Sequence, residues 1–161
     1  MSVIVLLDAG PLGMITNPKS SPENEACKTW LAGLAYSGIE VVIPEIADYE
    51  VRRELLRADK DRGVGRLDAL KGMLGYAPIT TPVMLKAAEF WETARKLGRQ
   101  SAGDTSLDAD MILAAQAVDL SRDGDDAVIA TTNAPYGATV ISTCKLPRPA
   151  TLPTCLNRKP G

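Results

Sequence analysis

Three acidic residues that lie far apart in the chain, Asp8, Glu50 and Asp110, are the first candidates for chemistry. Asp8 directly follows an uninterrupted apolar run, Val3–Leu7, and a glycine and a proline come soon after it. The run predicts a strand buried on both faces of a parallel sheet, and ligands of such sheets gather at the carboxyl ends of the strands. Because unpaired carboxylates are rarely buried, Asp8 is a candidate functional residue; a helix cap or a turn is the alternative.

The other two acids fall on predicted helices. Glu50 lies about two turns into the helix that follows the second predicted strand, and a solvated helix face with Glu/Arg pairs is its alternative interpretation. Asp108 and Asp110 stand at the start of an alanine-rich helix, where Asp110 shares one face with Ala114 and Ala117 and close packing is possible. Compensation of the helix dipole is the alternative for these acids.

Polar and basic residues near these positions could assist. Thr131 and Asn133 follow the fourth predicted strand, where they could orient a metal-bound water or a phosphate; an ordinary turn is the alternative. A substrate track could be formed by basic side chains whose alternative role is solvation of the surface. These residues are Arg52, Arg53, Arg57, Lys60, Arg62, Arg66, Lys96 and Arg99.

The composition limits the chemistry. The 161 residues include no histidine, so any acid–base or metal chemistry must use carboxylates. A net charge of -2 predicts that nucleic acid could bind only at a local basic patch. Three cysteines without close spacing argue against a disulfide framework or a zinc site and indicate a reducing cytoplasm. The N-terminal run is interrupted by Asp8, so neither a signal peptide nor a membrane span is predicted there.

The elements that would position these residues alternate between strands and helices. This alternation predicts parallel βαβ units and a sheet covered on both sides. We expect one domain over residues 1–143 and an extended, Pro-rich tail over residues 144–161. The predicted strands are 3–7, 39–43, 75–79, 127–130 and 138–141, the third at an edge because of its proline. The predicted helices are a short turn at 12–15 and helices near 22–36, 44–57, 67–74, 82–97 and 106–120, with a charged connector at 58–66 and a polar loop at 100–105.

Four motifs in this order resemble the PIN-domain family, the metal-dependent ribonuclease fold that includes the VapC-type toxins. The resemblance covers about residues 2–142, and its third motif is the most specific. The motifs are Val5-Leu6-Leu7-Asp8 with Gly10-Pro11-Leu12, Ile43-Pro44 with Glu50, Asp110-Met111-Ile112-Leu113-Ala114-Ala115-Gln116-Ala117, and Thr131-Thr132-Asn133.

The resemblance implies a three-layer α/β/α sandwich with a mainly parallel five-stranded sheet in the order 3-2-1-4-5. It further implies an endoribonuclease that uses Mg²⁺ or Mn²⁺, a homodimer, and an antitoxin partner if the chain is a toxin. Asp8, Glu50 and Asp110 would be catalytic and, with Asp108, would bind the metal, while Thr131 and Asn133 would support them. RNA would contact Arg52, Arg53 and Arg57, and helices 22–37 and 44–57 would form the dimer contact.

Physical chemistry agrees with this assignment. Carboxylates gathered at one edge of a sheet repel one another unless cations neutralise them or their pKa values rise. Ligand sets made only of oxygen select hard ions such as Mg²⁺ or Mn²⁺, and these activate water for attack on phosphate.

One departure from the family pattern favours a different function. Many members carry a further acid at or after the fourth motif, but residues 134–137 contain none. Either Asp104 or Asp108 supplies the missing charge, or the site holds only one metal ion well. The alternative is therefore a PIN-fold RNA-binding or scaffold protein with weak or no catalysis. A nucleotide-binding Rossmann protein is a more distant hypothesis, because the glycines after the first strand lack the GxGxxG pattern.

Overall fold

A computed structural model describes residues 2–97, 104–121, 125–132 and 142–145 of the chain. The strands are β1 (Val3–Leu7), β2 (Glu40–Pro44), β3 (Gly75–Ala77), β4 (Asp126–Thr131) and β5 (Ser142–Lys145). The helices are α1 (Ala9–Thr16), α2 (Pro22–Tyr36), α3 (Glu45–Arg57), α4 (Asp61–Met73), α5 (Thr81–Lys96) and α6 (Asp104–Leu120). Among these described helices, none combines the length and apolarity needed to cross a membrane.

The strands form one sheet in the order β3-β2-β1-β4-β5. The first four are parallel to their neighbours, with Val5 opposite Val41 of β2 and Val128 of β4. The predicted α/β class and the parallel order 3-2-1-4 are thus confirmed, and β3 lies at an edge as predicted. β5 pairs antiparallel with β4 and begins one residue after the predicted fifth strand at 138–141, which lies outside the described residues.

The sheet is covered on both faces. Successive side chains of a strand point to opposite faces, and most apolar side chains of β1, β2 and β4 are buried on either face. Val5 and Leu7 belong to the core beneath α1, α2, α3 and α4, whereas Ile4 and Leu6 belong to the core beneath α6. α5 packs against the outer side of α6 in a third cluster. The uninterrupted apolar run of β1 therefore predicts its burial correctly, and Asp8 follows at the end of a strand enclosed on both sides.

Several boundaries differ from prediction by a few residues, among them those of α4, α6 and β5. α4 begins at Asp61, within the predicted connector. Gly63 in its first turn lies so close to Leu55 that an added Cβ would be 2.6 Å from Leu55 Cδ2. α6 begins at Asp104, inside the predicted loop. β5 extends to Lys145, past the predicted end of the domain at residue 143, and the rest of the predicted tail lies outside the described residues.

Candidate functional site

Asp8 joins the ends of the two central strands. It is 3% exposed, caps α1, and its Oδ1 accepts a hydrogen bond from the Ala9 N–H at 2.7 Å. Its Oδ2 accepts a hydrogen bond from the Thr131 hydroxyl at 2.8 Å. Since Leu7 and Ala130 are partners in the parallel register, the two residues that follow them are neighbours at the carboxyl edge. The cap that sequence offers as an alternative for Asp8 is present, together with a buried polar contact to β4.

Gly10 brings the first turn of α1 against the end of β4. A Cβ at this position would collide with Thr132 Oγ1, so no larger residue fits without a shift of Thr132. Gly13, one turn later, is unlike Gly10, because an added Cβ would lie 4.0 Å from Val51 Cγ2, an ordinary contact. The hydroxyls of Thr131 and Thr132 therefore both face the start of α1. Thr132 was not singled out from sequence, since the close approach at Gly10 depends on how strands and helix pack.

Glu50 opens into a cleft between α1 and α3 with a volume of about 500 Å³. Its side chain is 14% exposed, and its Oε1 lies 4.0 Å from Arg53 Nη2. Ala9, the neighbour of Asp8 in the chain, lines the α1 side of the same cleft. Basic and acidic side chains from the end of α3 and its connection to α4 complete the lining: Arg53, Glu54, Arg57 and Lys60.

Asp110 is 2% exposed and lies on the side of α6 that faces the sheet. Leu113 and Ala117, one and two turns further along that side, pack with Leu6 and Ile129 of the two central strands. Small buried alanines in these turns allow the approach that the sequence predicts. Asp110 thus belongs to the layer that covers β1 and β4.

Asp108 lies elsewhere. It is exposed and lines a largely apolar cleft of about 330 Å³ between α5 and α6, together with Met84 and Trp91. Adjacent α-helical residues are rotated by about 100° from each other, so residues two apart point to nearly opposite sides. The prediction that Asp108 joins Asp110 as a metal ligand in one cleft receives no support from this placement. Asn133, the other predicted supporting residue, lies outside the described residues.

The carboxylates of Asp8, Glu50 and Asp110 are of the type that binds a hard divalent cation, but they are not grouped around one point. Within the described ranges, no three Asp, Glu, Cys or His side chains are grouped so that they could hold a metal ion. A shared ion among Asp8, Glu50 and Asp110 therefore stays a prediction, and it requires these carboxylates to move together.

The three arginines predicted to bind RNA separate into two environments. Arg53 and Arg57 line the Glu50 cleft, with half and three quarters of their side chains exposed. Arg52 instead connects α3 with α4 through ion pairs to Asp48 at 2.9 Å and Asp68 at 2.7 Å. The hydrogen bond to Asp68 and that to Asp48 raise the pKa of Arg52, outweighing the effect of burial. Arg52 is therefore placed as a structural residue.

Asp48 is the buried centre of that network. Burial alone would raise its pKa, but hydrogen bonds from Lys71 and Arg52 outweigh burial and hold the pKa below its usual range. Lys71 Nζ lies 2.8 Å from Asp48 Oδ2, and the Tyr76 hydroxyl donates to the same oxygen at 3.2 Å. The network ties α3 to α4 and to the edge strand β3.

A buried amide, Gln116, fixes α6 against α3 and was not recognised as important from sequence. Its Nε2 donates to the Ala77 carbonyl at the end of β3, and its Oε1 accepts from the Ile46 N–H at 3.4 Å. Gln116 is 1% exposed, so water cannot replace these bonds. The contact holds together the two helices that carry Asp110 and Glu50.

No protein-family model and no curated protein matches the sequence. Among solved structures, a chain in the crystal structure of VapBC2 from Rickettsia felis bound to a DNA fragment from their promoter has a similar fold. The TM-score is 0.63 and the sequence identity 17%, and the match covers 81% of this chain and 87% of that chain. At this identity the similarity concerns the fold alone, and it is consistent with the predicted PIN-like architecture.

Proposed function

We propose that the protein is an endoribonuclease that depends on Mg²⁺ or Mn²⁺ and acts as the toxin of a toxin–antitoxin pair. The observation that carries the proposal is the buried Asp8–Thr131 contact, at the carboxyl ends of adjacent central strands and beside the Glu50 cleft. A buried carboxylate at this edge is where open parallel sheets place their chemistry. The fold shared with a chain of the VapBC2 complex supports the toxin assignment.

Asp8, Glu50 and Asp110 are the residues that would hold the ion, and their oxygen ligands suit Mg²⁺ or Mn²⁺. When bound, the ion would supply activated water and would stabilise the charge that develops on the attacked phosphate. The Thr131 hydroxyl keeps the Asp8 carboxylate oriented at the strand end. Arg53 and Arg57 hold the RNA backbone along the cleft, because guanidinium groups pair well with phosphate oxygens.

The test is cleavage of a labelled RNA pool by the purified chain with and without millimolar Mn²⁺. Asp8→Asn and Glu50→Gln should each lower the rate roughly 100-fold or more, above the 10- to 100-fold typical of residues that only orient ligands. Glu89→Gln is the matched control, since Glu89 is an exposed glutamate in an i,i+3 pair on α5. Mn²⁺ should also raise the melting temperature of the wild type more than that of Asp8→Asn. Equal rates in all variants would refute the assignment.

RNA binding without catalysis is the second candidate function, and the ungrouped acids favour it. In that case Mn²⁺ gives no melting shift and no cleavage, and binding survives Asp8→Asn but weakens on loss of Arg53 and Arg57. The predicted homodimer is a separate part of the proposal. Its contact on α2 and α3 would cover exposed Tyr36 and Leu56, and light scattering that finds a monomer at high concentration would reject it.

A further inference from the structure

An exposed aromatic ring lies beside the Glu50 cleft and takes no part in the interior. Tyr49 is 57% exposed, whereas its neighbours Ala47 and Val51 are buried in the core. The Arg53 guanidinium lies over the Tyr49 ring, 5.4 Å from its centroid, and Arg53 also lines the cleft. Tyr49 and Arg53 therefore form a partly exposed cation–π pair beside the cleft, and Tyr49 directly precedes Glu50 in the chain.

Tyr76 also has a basic side chain over its ring, but this second pair has a structural role. The basic side chain is Lys71, 4.4 Å from the ring centroid, and the Tyr76 hydroxyl donates to Asp48, so the whole group joins the buried network. The pKa of Tyr76 is raised mainly by burial and, to a smaller extent, by the nearby charge of Asp48. Tyr49 lies outside this network, so its ring is available to a ligand.

The charges around Tyr49 favour nucleic acid as that ligand. Arg53, Arg57 and Lys60 provide three cations along the cleft against the two carboxylates of Glu50 and Glu54. The Arg57–Glu54 pair lies within one helix and is largely exposed, so it contributes little and can exchange for phosphate. Arg53 is half exposed, and its Nη2 lies 4.0 Å from Glu50 Oε1, too far for a hydrogen bond. Aromatic rings interleaved with such cations bind unpaired bases by stacking, with little dependence on sequence.

We propose that Tyr49, backed by Arg53, is a specificity-determining residue on which one unpaired base of the RNA stacks next to the cleft. The inference rests on the proposed function for its ligand, but it concerns binding and does not require cleavage. A base held in a duplex cannot reach the ring in this way, so Tyr49 selects an unpaired nucleotide at one position beside the Glu50 cleft. Phosphates flanking that nucleotide lie along Arg57 and Lys60.

The experiment measures anisotropy of a fluorescein-labelled single-stranded oligoribonucleotide and of its duplex, using full-length protein in chelator. Tyr49→Ala should weaken single-strand binding by about 5- to 100-fold, the range expected for loss of one stacked base. Tyr49→Phe, which keeps the ring, should stay within about twofold of wild type. Leu85→Ala is the control, because Leu85 is 64% exposed on α5 and does not line the cleft. Duplex binding should be the same for all variants.

Oligonucleotides that lack one base give a second measurement, which would not change between variants if Tyr49 had only a structural role. Removal of the base at one position should weaken RNA binding by the wild type. It should leave binding by Tyr49→Ala unchanged, because that variant already lacks the ring on which the base stacks. Equal binding by wild type and Tyr49→Ala, or equal losses on single strand and duplex, overturns the inference even if the RNA is cleaved. Unchanged RNA binding with a change in light-scattering mass would assign Tyr49 to a protein interface and likewise overturn it. Tyr49-dependent binding without cleavage would support the inference while refuting the nuclease.

Discussion

Replacement of Asp8 by asparagine tests whether this residue is mainly a hydrogen-bonded cap or a member of a repelling carboxylate cluster. The asparagine oxygen can still accept from the Ala9 N–H, and the Thr131 hydroxyl can turn round to accept from the new amide. What is lost is the negative charge at the N-terminus of α1, about 0.3–1 kcal/mol, and roughly half the strength of two charge-assisted bonds. We therefore expect Asp8→Asn to lower the free energy of unfolding by about 1–2 kcal/mol without metal.

Asp8→Ala gives the comparison that makes this result interpretable. It removes a helix cap, about 0.5–2 kcal/mol, and leaves the buried Thr131 hydroxyl without its partner on Asp8, a further 1–3 kcal/mol or so. Urea unfolding in chelator should therefore rank wild type above Asp8→Asn and Asp8→Ala last. In thermal melts each kcal/mol corresponds to roughly 2–4 °C at this size. An Asp8→Asn variant more stable than wild type would refute the reasoning, since it would mean that repulsion among the acids dominates.

Four further substitutions test the packing and charge around the site by urea unfolding. Gly10→Ala should destabilise by about 1–3 kcal/mol through its collision with Thr132, whereas Gly13→Ala in the same helix should be neutral or stabilise by up to about 1 kcal/mol; equal effects would contradict the close approach. Asp48→Asn should destabilise at pH 7, and because the folded-state pKa of Asp48 is depressed, its difference from wild type should shrink as pH falls below about 4; a constant difference would exclude this ion-pair origin. Gln116→Leu should cost about 1–3 kcal/mol for each of the two backbone groups it leaves unsatisfied, and a neutral result would show that water reaches them.

The layers of the fold could be predicted because each rests on a local pattern. The apolar runs of β1, β2 and β4 indicate burial on both faces, and Ser21 and Thr80 act as helix caps where the sequence places Ser or Thr before a proline. The start of α4 could not be predicted in this way. Gly63 and Gly65 weaken a helix on propensity alone, and the close approach of Gly63 to Leu55 is visible only in the structure.

The site was predictable to the extent that it follows from strand ends. Asp8 and Thr131 meet because β1 and β4 are neighbours in register, a consequence of parallel topology. Gln116 was missed because its partners, Ala77 and Ile46, are 39 and 70 residues away in sequence. The exposed position of Asp108 beside buried Asp110 follows from helix geometry, since residues two apart on one helix point to nearly opposite sides. Hydrogen-bond partners that are far apart in the sequence can be identified only from the structure, whereas the direction of a side chain around a helix can be worked out from the sequence.

The geometry of Asp8 links stability and proposed activity through the same two oxygen atoms. In the described structure both oxygens serve as hydrogen-bond acceptors, one for α1 and one for Thr131. A carboxylate oxygen has two lone-pair sites, so each can keep its hydrogen bond and still offer a second site to a cation. A metal ion would therefore add to the cap rather than replace it, and the movement needed to complete a site falls on Glu50, which is less buried than Asp8 or Asp110. If a metal ion binds as proposed, we therefore expect the Glu50 cleft, rather than the end of β1, to change shape.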